Sequence, residues 1–203
     1  MKDYSQLASE DELDIAVGSC KNNGLQVLVA DDGNEAKDLV LNLVPKKAEV
    51  FTLTSVTLDT IGISEAINNS GEYDSVRMKL SRMDPATQKK EMRRLGSAPD
   101  WVIGTAHAVT EEGHLLIASN TGSQLAAEVY GAENVIFVIG TQKIVKDDGD
   151  GLKRIYEYVL PLEDARALEV YKMNSFVSKL LIINREILPK RTTVVFAKEK
   201  LGF

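Results

Sequence analysis

Val135-Ile136-Phe137-Val138-Ile139 is the stretch that decides the fold. Five apolar residues in a row show no alternation, as expected of a strand covered on both faces. The flanks are helical. Ser119-Asn120-Thr121-Gly122 leads into a helix through Leu125, Ala126 and Val129, and Asp150 to Val159 reads as the next helix. Further out the pattern repeats. Leu25 to Ala30, Ala48 to Leu53, Trp101 to Ala108 and Leu115 to Ala118 read as strands, and Thr192 to Ala197 as a β-branched last one. Between them Asn34 to Val44 reads as helix before Pro45, and Leu58 to Ile67 as a short helix or pair of turns. Asp84 caps a helix with Pro85 at its first position, closed by Gly96 to Pro99. Pro161 to Leu188 mixes periods and is read as helical. Strands alternating with helices, several of them continuously apolar, predict an α/β fold with a mostly parallel central sheet.

The chain has 203 residues, enough for one domain. We expect an N-terminal helical segment over 1–24 and an α/β core over 25–203. A net charge of −6 argues against non-specific nucleic-acid binding. The single cysteine, Cys20, excludes an intrachain disulfide, and an all-cysteine zinc site or cysteine-ligated cluster built from this chain alone. Met1 to Asp14 is polar and acidic, and no apolar run approaches the roughly 18 residues of a membrane span. The expectation is a cytoplasmic protein with no membrane partner.

In an open parallel sheet, ligands sit outside the carboxyl ends of the strands. That rule selects three stretches. Thr54-Ser55-Val56-Thr57 either caps the next helix or holds an anion with Ser55 and Thr57. Along an extended Trp101 to Ala108, Thr105 and His107 share one face, which places His107 near the strand end as a candidate acid or base. A satisfied structural histidine is the alternative. The turn Thr110-Glu111-Glu112-Gly113 follows, its carboxylates either catalytic or solvated. Asn120, Thr121, Gly122 and Ser123 make either a helix cap or a cradle for phosphate or carboxylate, without a Walker or GxGxxG pattern. Asp148, Asp150, Gly151 and Glu157 have calcium-loop spacing, but Lys146 stands where the first aspartate belongs, so no metal is expected.

Several ordered segments are similar to one family. Ala108-Val109-Thr110-Glu111-Glu112-Gly113 resembles its Ala-x-Thr-Glu-x-Gly turn, and Ser55-Val56-Thr57-Leu58 through Gly62 its Ser-x-Thr-Leu segment. Thr141-Gln142-Lys143-Ile144-Val145 resembles its lysine-containing turn, and Val194 to Phe203 its ending. The family is the LUD domain, named for lactate utilisation, and the resemblance runs from about Leu13 to Phe203. It implies a three-layer α/β/α, NagB/RpiA/CoA-transferase-like fold. It implies a role in converting lactate to pyruvate, beside iron–sulfur oxidoreductase subunits. A cysteine-rich stretch found in some members is missing here, since Leu160 to Lys190 contains no cysteine.

The combined expectation is a protein of organic-acid utilisation that binds a small anionic metabolite through Ser55, Thr57, Thr105, Gly113, Asn120, Thr121, Gly122, Ser123 and Lys143, with no cofactor of its own. The alternative is a stand-alone enzyme, an acyl-CoA transferase or an isomerase or hydrolase of a phosphorylated metabolite. CoA-transferases of this fold use the glutamate of a Glu-x-Gly turn as nucleophile, which here is Glu111, with His107 nearby. Phe176 to Leu188 is read as core or as the face of a homodimer.

Overall fold

The computed structural model describes residues 3–203. The chain runs α1 (Glu10–Asn22), β1 (Gln26–Ala30), α2 (Gly33–Leu43), β2 (Glu49–Thr52), α3 (Val56–Thr60), α4 (Ile63–Asn68), β3 (Asp74–Ser75), α5 (Val76–Ser81), α6 (Lys89–Ser97) and β4 (Trp101–Gly104). Then follow β5 (Ala108–Thr110), β6 (Leu115–Ser119), β7 (Asn134–Gly140), β8 (Ile144–Val145), α7 (Asp148–Lys153), α8 (Leu160–Tyr171), β9 (Lys179–Ile183) and β10 (Thr192–Ala197). Among the described residues, no helix is long and apolar enough to cross a membrane.

Six strands form one sheet in the order β1-β10-β7-β4-β2-β3, and every pair in it is parallel. The continuous apolar run sits inside it, with Val135 opposite Thr192 on one side and Val102 on the other. Alternation splits the run between two cores. Val135, Phe137 and Ile139 pack with α1, Val76 and the second sheet. Ile136 and Val138 pack with Ala36 and Val40 of α2, Leu58 of α3, and Ile63 and Ile67 of α4. Burying both faces is what a parallel sheet requires, and it yields the expected three-layer α/β/α arrangement. Local signals start the helices: Ser9 and Glu12 form a reciprocal capping box on α1, and Asp32 caps α2.

The second sheet, β8-β5-β6-β9, mixes parallel and antiparallel pairs. One face, with Val109, Leu115, Ile117 and Ile144, packs into the main core. The other face, with Ala108, Leu116 and Val145, packs on Tyr4 and Ile155. Ile155 lies in a π-helical stretch, Arg154–Val159, that joins α7 to α8.

Four expectations are corrected. Trp101 to Ala108 is not one strand: β4 stops at Gly104 and the chain crosses into β5 of the second sheet, so His107 does not share a strand face with Trp101, Ile103 and Thr105. Pro161 to Leu188 is helical only to Tyr171, and Lys179–Ile183 pairs with β6 as an edge strand. Within the Phe176 to Leu188 stretch, Phe176, Leu180, Ile187 and Leu188 are exposed, so these four are not core. Pro85 does not begin a helix, since Asp84 instead accepts from the Ala86 N–H within a turn and α6 begins at Lys89.

Candidate functional site

Parallel β2, β4 and β7 end on the same edge of the sheet, and each continues into a polar segment. Thr54 and Ser55 follow β2, Thr105 follows β4, and a 3-10 turn, Thr141–Lys143, follows β7. A cavity of about 540 Å³ lies among these segments. Loop 119–124, Glu128, the side of α8 and the loop after it complete its wall.

Lys143 is the chemical centre. The residue is 1% exposed, and Nζ donates to Thr57 Oγ1 at 2.9 Å and Thr105 Oγ1 at 3.0 Å. The Thr57 hydroxyl donates onward to the Leu201 carbonyl at 3.1 Å, and the Thr105 hydroxyl to the Ala106 carbonyl at 3.2 Å. Both hydroxyls are therefore set as acceptors toward the amine. Among the described residues no carboxylate lies within ion-pair distance of Nζ. Burial, reinforced by the positive charge of Arg154, holds the amine well below its ordinary titration range. A neutral amine has two N–H groups and one lone pair. In that form the two contacts to Thr57 and Thr105 engage both N–H groups and leave the lone pair over.

His107 lines the same cavity. The Ala118 N–H donates to Nδ1 at 3.1 Å, so the proton of the neutral ring sits on Nε2. Burial pushes its titration down to about 3, with Lys143 and Arg154 adding to the effect. Arg154 is fully buried behind it and donates from Nη1 to the His107 carbonyl. Its Nε and Nη2 have no partner among the described residues, and its guanidinium lies 5.3 Å from the Tyr158 ring centre. Burial lowers Arg154 to about 10, so it remains a cation at neutral pH.

Glu128 and Arg77 complete the inner wall. Glu128 is 1% exposed, and its Oε2 has no partner among the described residues. Burial pushes its carboxyl up to about 8, so it is protonated at neutral pH. Arg77 of α5 donates from Nε to the Thr52 carbonyl at 2.8 Å and from Nη2 to Thr54 Oγ1 at 3.1 Å. Its guanidinium also lies over the Phe51 ring. These bonds fix the cation at the end of β2. At the rim Arg166 clasps Glu163 through two bonds of 2.7 Å, and Tyr171, Met173 and Phe176 expose apolar surface.

The structure brings Ser55, Thr57, Thr105, His107, Asn120, Thr121, Ser123 and Lys143 together around this one cavity. Ser55 also caps α3, its Oγ accepting from the Leu58 N–H, so the two readings of that segment coexist. Gly122 stands beside the cavity, with φ +80° and its α-carbon against the Lys179 side chain.

Glu111 and Gly113 are elsewhere. β5 and β6 are antiparallel, so His107 and Ser119 stand at the open end of the hairpin and residues 111–113 at its tip. Four residues of extended chain put Glu111 roughly 13 Å along from His107. The tip docks on the end of α1, where Asn23 Nδ2 donates to the Glu112 carbonyl at 2.8 Å. Gly113 has φ +81°, and a Cβ there would stand 2.6 Å from the backbone carbon of Ser19. That glycine serves packing rather than the cavity.

Glu128, Arg77 and Arg154 are additions that the sequence reading does not contain. Among the described residues, Glu112, His114 and Asp148 bring three potential metal-ligand atoms, two carboxylate oxygens and an imidazole nitrogen, within 4.8 Å of one another. His114 Nδ1 lies 2.9 Å from Asp148 Oδ1, a hydrogen-bonded clasp between the hairpin tip and α7. The calcium-like loop is likewise used for helix initiation: Asp147 caps α7 and Asp150 Oδ1 accepts from the Tyr4 hydroxyl.

The LUD domain family profile matches residues 13–196. No curated protein matches the chain. Among solved structures, a DUF162 family protein from Deinococcus radiodurans superposes with a TM-score of 0.59 at 11% identity, covering 95% of this chain and 99% of that one. That likeness shows the shared fold. A slighter one, to eIF2B beta from Chaetomium thermophilum, has a TM-score of 0.32 at 19% identity over 70% of this chain and 42% of the other.

Proposed function

Because the chain belongs to the LUD domain family, we propose that it serves lactate and organic-acid utilisation by binding a small anionic metabolite in the cavity at the strand ends. The observation that carries this reading is the charge state of the inner wall. Arg77 is a cation in that wall and Arg154 a cation behind His107, whereas burial keeps the Glu128 carboxyl neutral at pH 7. A cation thus faces the cavity beside an uncharged Glu128, inside a protein whose net charge is −6. Arg77 offers a fork for a carboxylate. His107 Nε2–H and the hydroxyls of Ser55 and Ser123 supply further donors. A volume of about 540 Å³ suits a small metabolite. Cys20 is buried under the hairpin tip, and burial pushes its thiol up to about 12; on this reading, electron transfer falls to the iron–sulfur partner subunits that the family resemblance implies.

A thermal-shift screen tests the reading, with lactate, pyruvate, sugar phosphates, folates and CoA esters as ligands. A ligand at one hundred times its Kd stabilises the folded chain by about 2.7 kcal/mol. We expect organic acids to raise the Tm of the wild type and to lose that effect in Arg77→Met. No rise with any anion would end the proposal.

A further inference from the structure

We infer that Lys143 is a nucleophilic amine that captures the carbonyl carbon of a 2-oxo acid or aldehyde as an imine, with Glu128 moving the protons. The inference rests on the anion-binding reading of the same cavity and names its substrate class.

Four observations carry it. Lys143 is buried with both N–H groups of its neutral form bound to Thr57 and Thr105, which leaves a lone pair as its free valence. Neither a carboxylate at ion-pair distance among the described residues nor open solvent stabilises its ammonium form. Glu128 lines the same cavity with an unpartnered oxygen, and a Cβ at Gly104, one residue before Thr105, would stand 3.3 Å from its Oε1. Arg77, fixed at the end of β2, lines the same cavity as Lys143 and offers a cation to the carboxylate of a 2-oxo acid. A desolvated lysine kept neutral is the form that attacks carbonyl groups.

The step balances as follows. The Lys143 lone pair attacks the carbonyl carbon, and the C=O π pair moves to oxygen. The nitrogen loses one proton and the oxygen gains one, giving the carbinolamine. Glu128 then protonates the hydroxyl, the C–O bond breaks and water leaves with its electron pair. The nitrogen forms the C=N bond and gives its remaining proton back to the Glu128 carboxylate. The sum is amine plus carbonyl to imine plus water, with Glu128 restored and no oxidant needed.

The test is reductive trapping. The full chain is incubated with pyruvate or glyoxylate and sodium cyanoborohydride at pH 7, then digested and mapped by mass spectrometry. The expected result is one reduced adduct per chain, on the peptide that contains Lys143. Lactate, which has no carbonyl, competes with adduct formation without forming one. Glu128→Gln slows trapping at least tenfold while keeping the site of modification. Calorimetry with pyruvate in the absence of reductant runs in parallel. Saturable binding with no adduct on Lys143, or with adducts spread over exposed lysines, overturns the imine and leaves anion binding standing. Neither binding nor adduct overturns both. Site mapping in the wild type makes the result independent of how well any variant folds.

Discussion

Replacing Glu128 by Gln changes one buried proton-binding site, and its consequence for stability has a definite sign. The ordinary carboxyl titrates at 4.5 and the folded Glu128 at about 8. Between these values the unfolded chain has released the proton and the folded chain retains it. The folded state therefore binds more protons, and stability falls as pH rises through the window. Below it both states are protonated and this contribution disappears. At pH 7 the cost is about 3 kcal/mol, from 1.36 kcal/mol per pH unit over roughly 2.5 units. Glutamine carries no such dependence. Its buried, unpartnered amide costs about 1 kcal/mol at every pH. Glu128→Gln is thus expected to be more stable than the wild type by about 2 kcal/mol at pH 7, and slightly less stable near pH 4.5. Urea denaturation of both proteins from pH 4.5 to pH 8 measures the difference, in which all other titrating groups cancel. Parallel profiles would refute the reasoning, because they would mean that Glu128 is ionised or solvated in the folded chain.

Other consequences are read by similar means. Gly113→Ala puts a Cβ 2.6 Å from rigid helix backbone at a φ of +81°, and is expected to cost at least about 2 kcal/mol in urea denaturation. Glu111→Ala, at the same hairpin tip, is expected to leave both pyruvate binding and stability unchanged to within about 0.5 kcal/mol. His107→Leu leaves the Ala118 N–H without its acceptor, a loss of about 1–3 kcal/mol, measured the same way. Cys20, buried with its thiol raised to about 12, is expected to resist thiol reagents in the folded chain and to react stoichiometrically in urea.

The sequence carries the sheet well where burial on both faces writes a continuous apolar run, as in β7 and β10. It fails where the chain changes sheets. Trp101 to Ala108 has a strand's composition throughout, and nothing local marks the crossing at Thr105, which is set by how the β5–β6 hairpin packs. It fails again at Glu128. In an α-helix through Leu125, Ala126 and Val129 the glutamate belongs on the wet side, but Ala127–Gly131 is π-helical. The extra residue per turn rotates the faces, so that Val129 is 51% exposed and Glu128 is buried. β9 hides for a different reason: as an edge strand it leaves Leu180 exposed, and its apolar run follows neither period clearly. The polar segment after β2 is legible because the strand-end rule depends on topology alone, whereas Lys143 after β7 comes from the family resemblance and Thr105 reads as lying inside a strand rather than just past its end. Arg77 reaches the cavity, and Arg154 the back of His107, through side-chain length from elements with no motif, and only packing reveals them.

The central claim is that the strand-end cavity holds a small organic anion against Arg77, and calorimetric titration tests it most directly. Pyruvate titrated into the wild type at pH 7 should give saturable binding at one site per chain. Arg77→Met should weaken that binding at least about tenfold, the loss of roughly 1.4 kcal/mol expected for a charge-assisted bond. Saturable binding that survives Arg77→Met unchanged, or no saturable heat with pyruvate or lactate, would contradict the account.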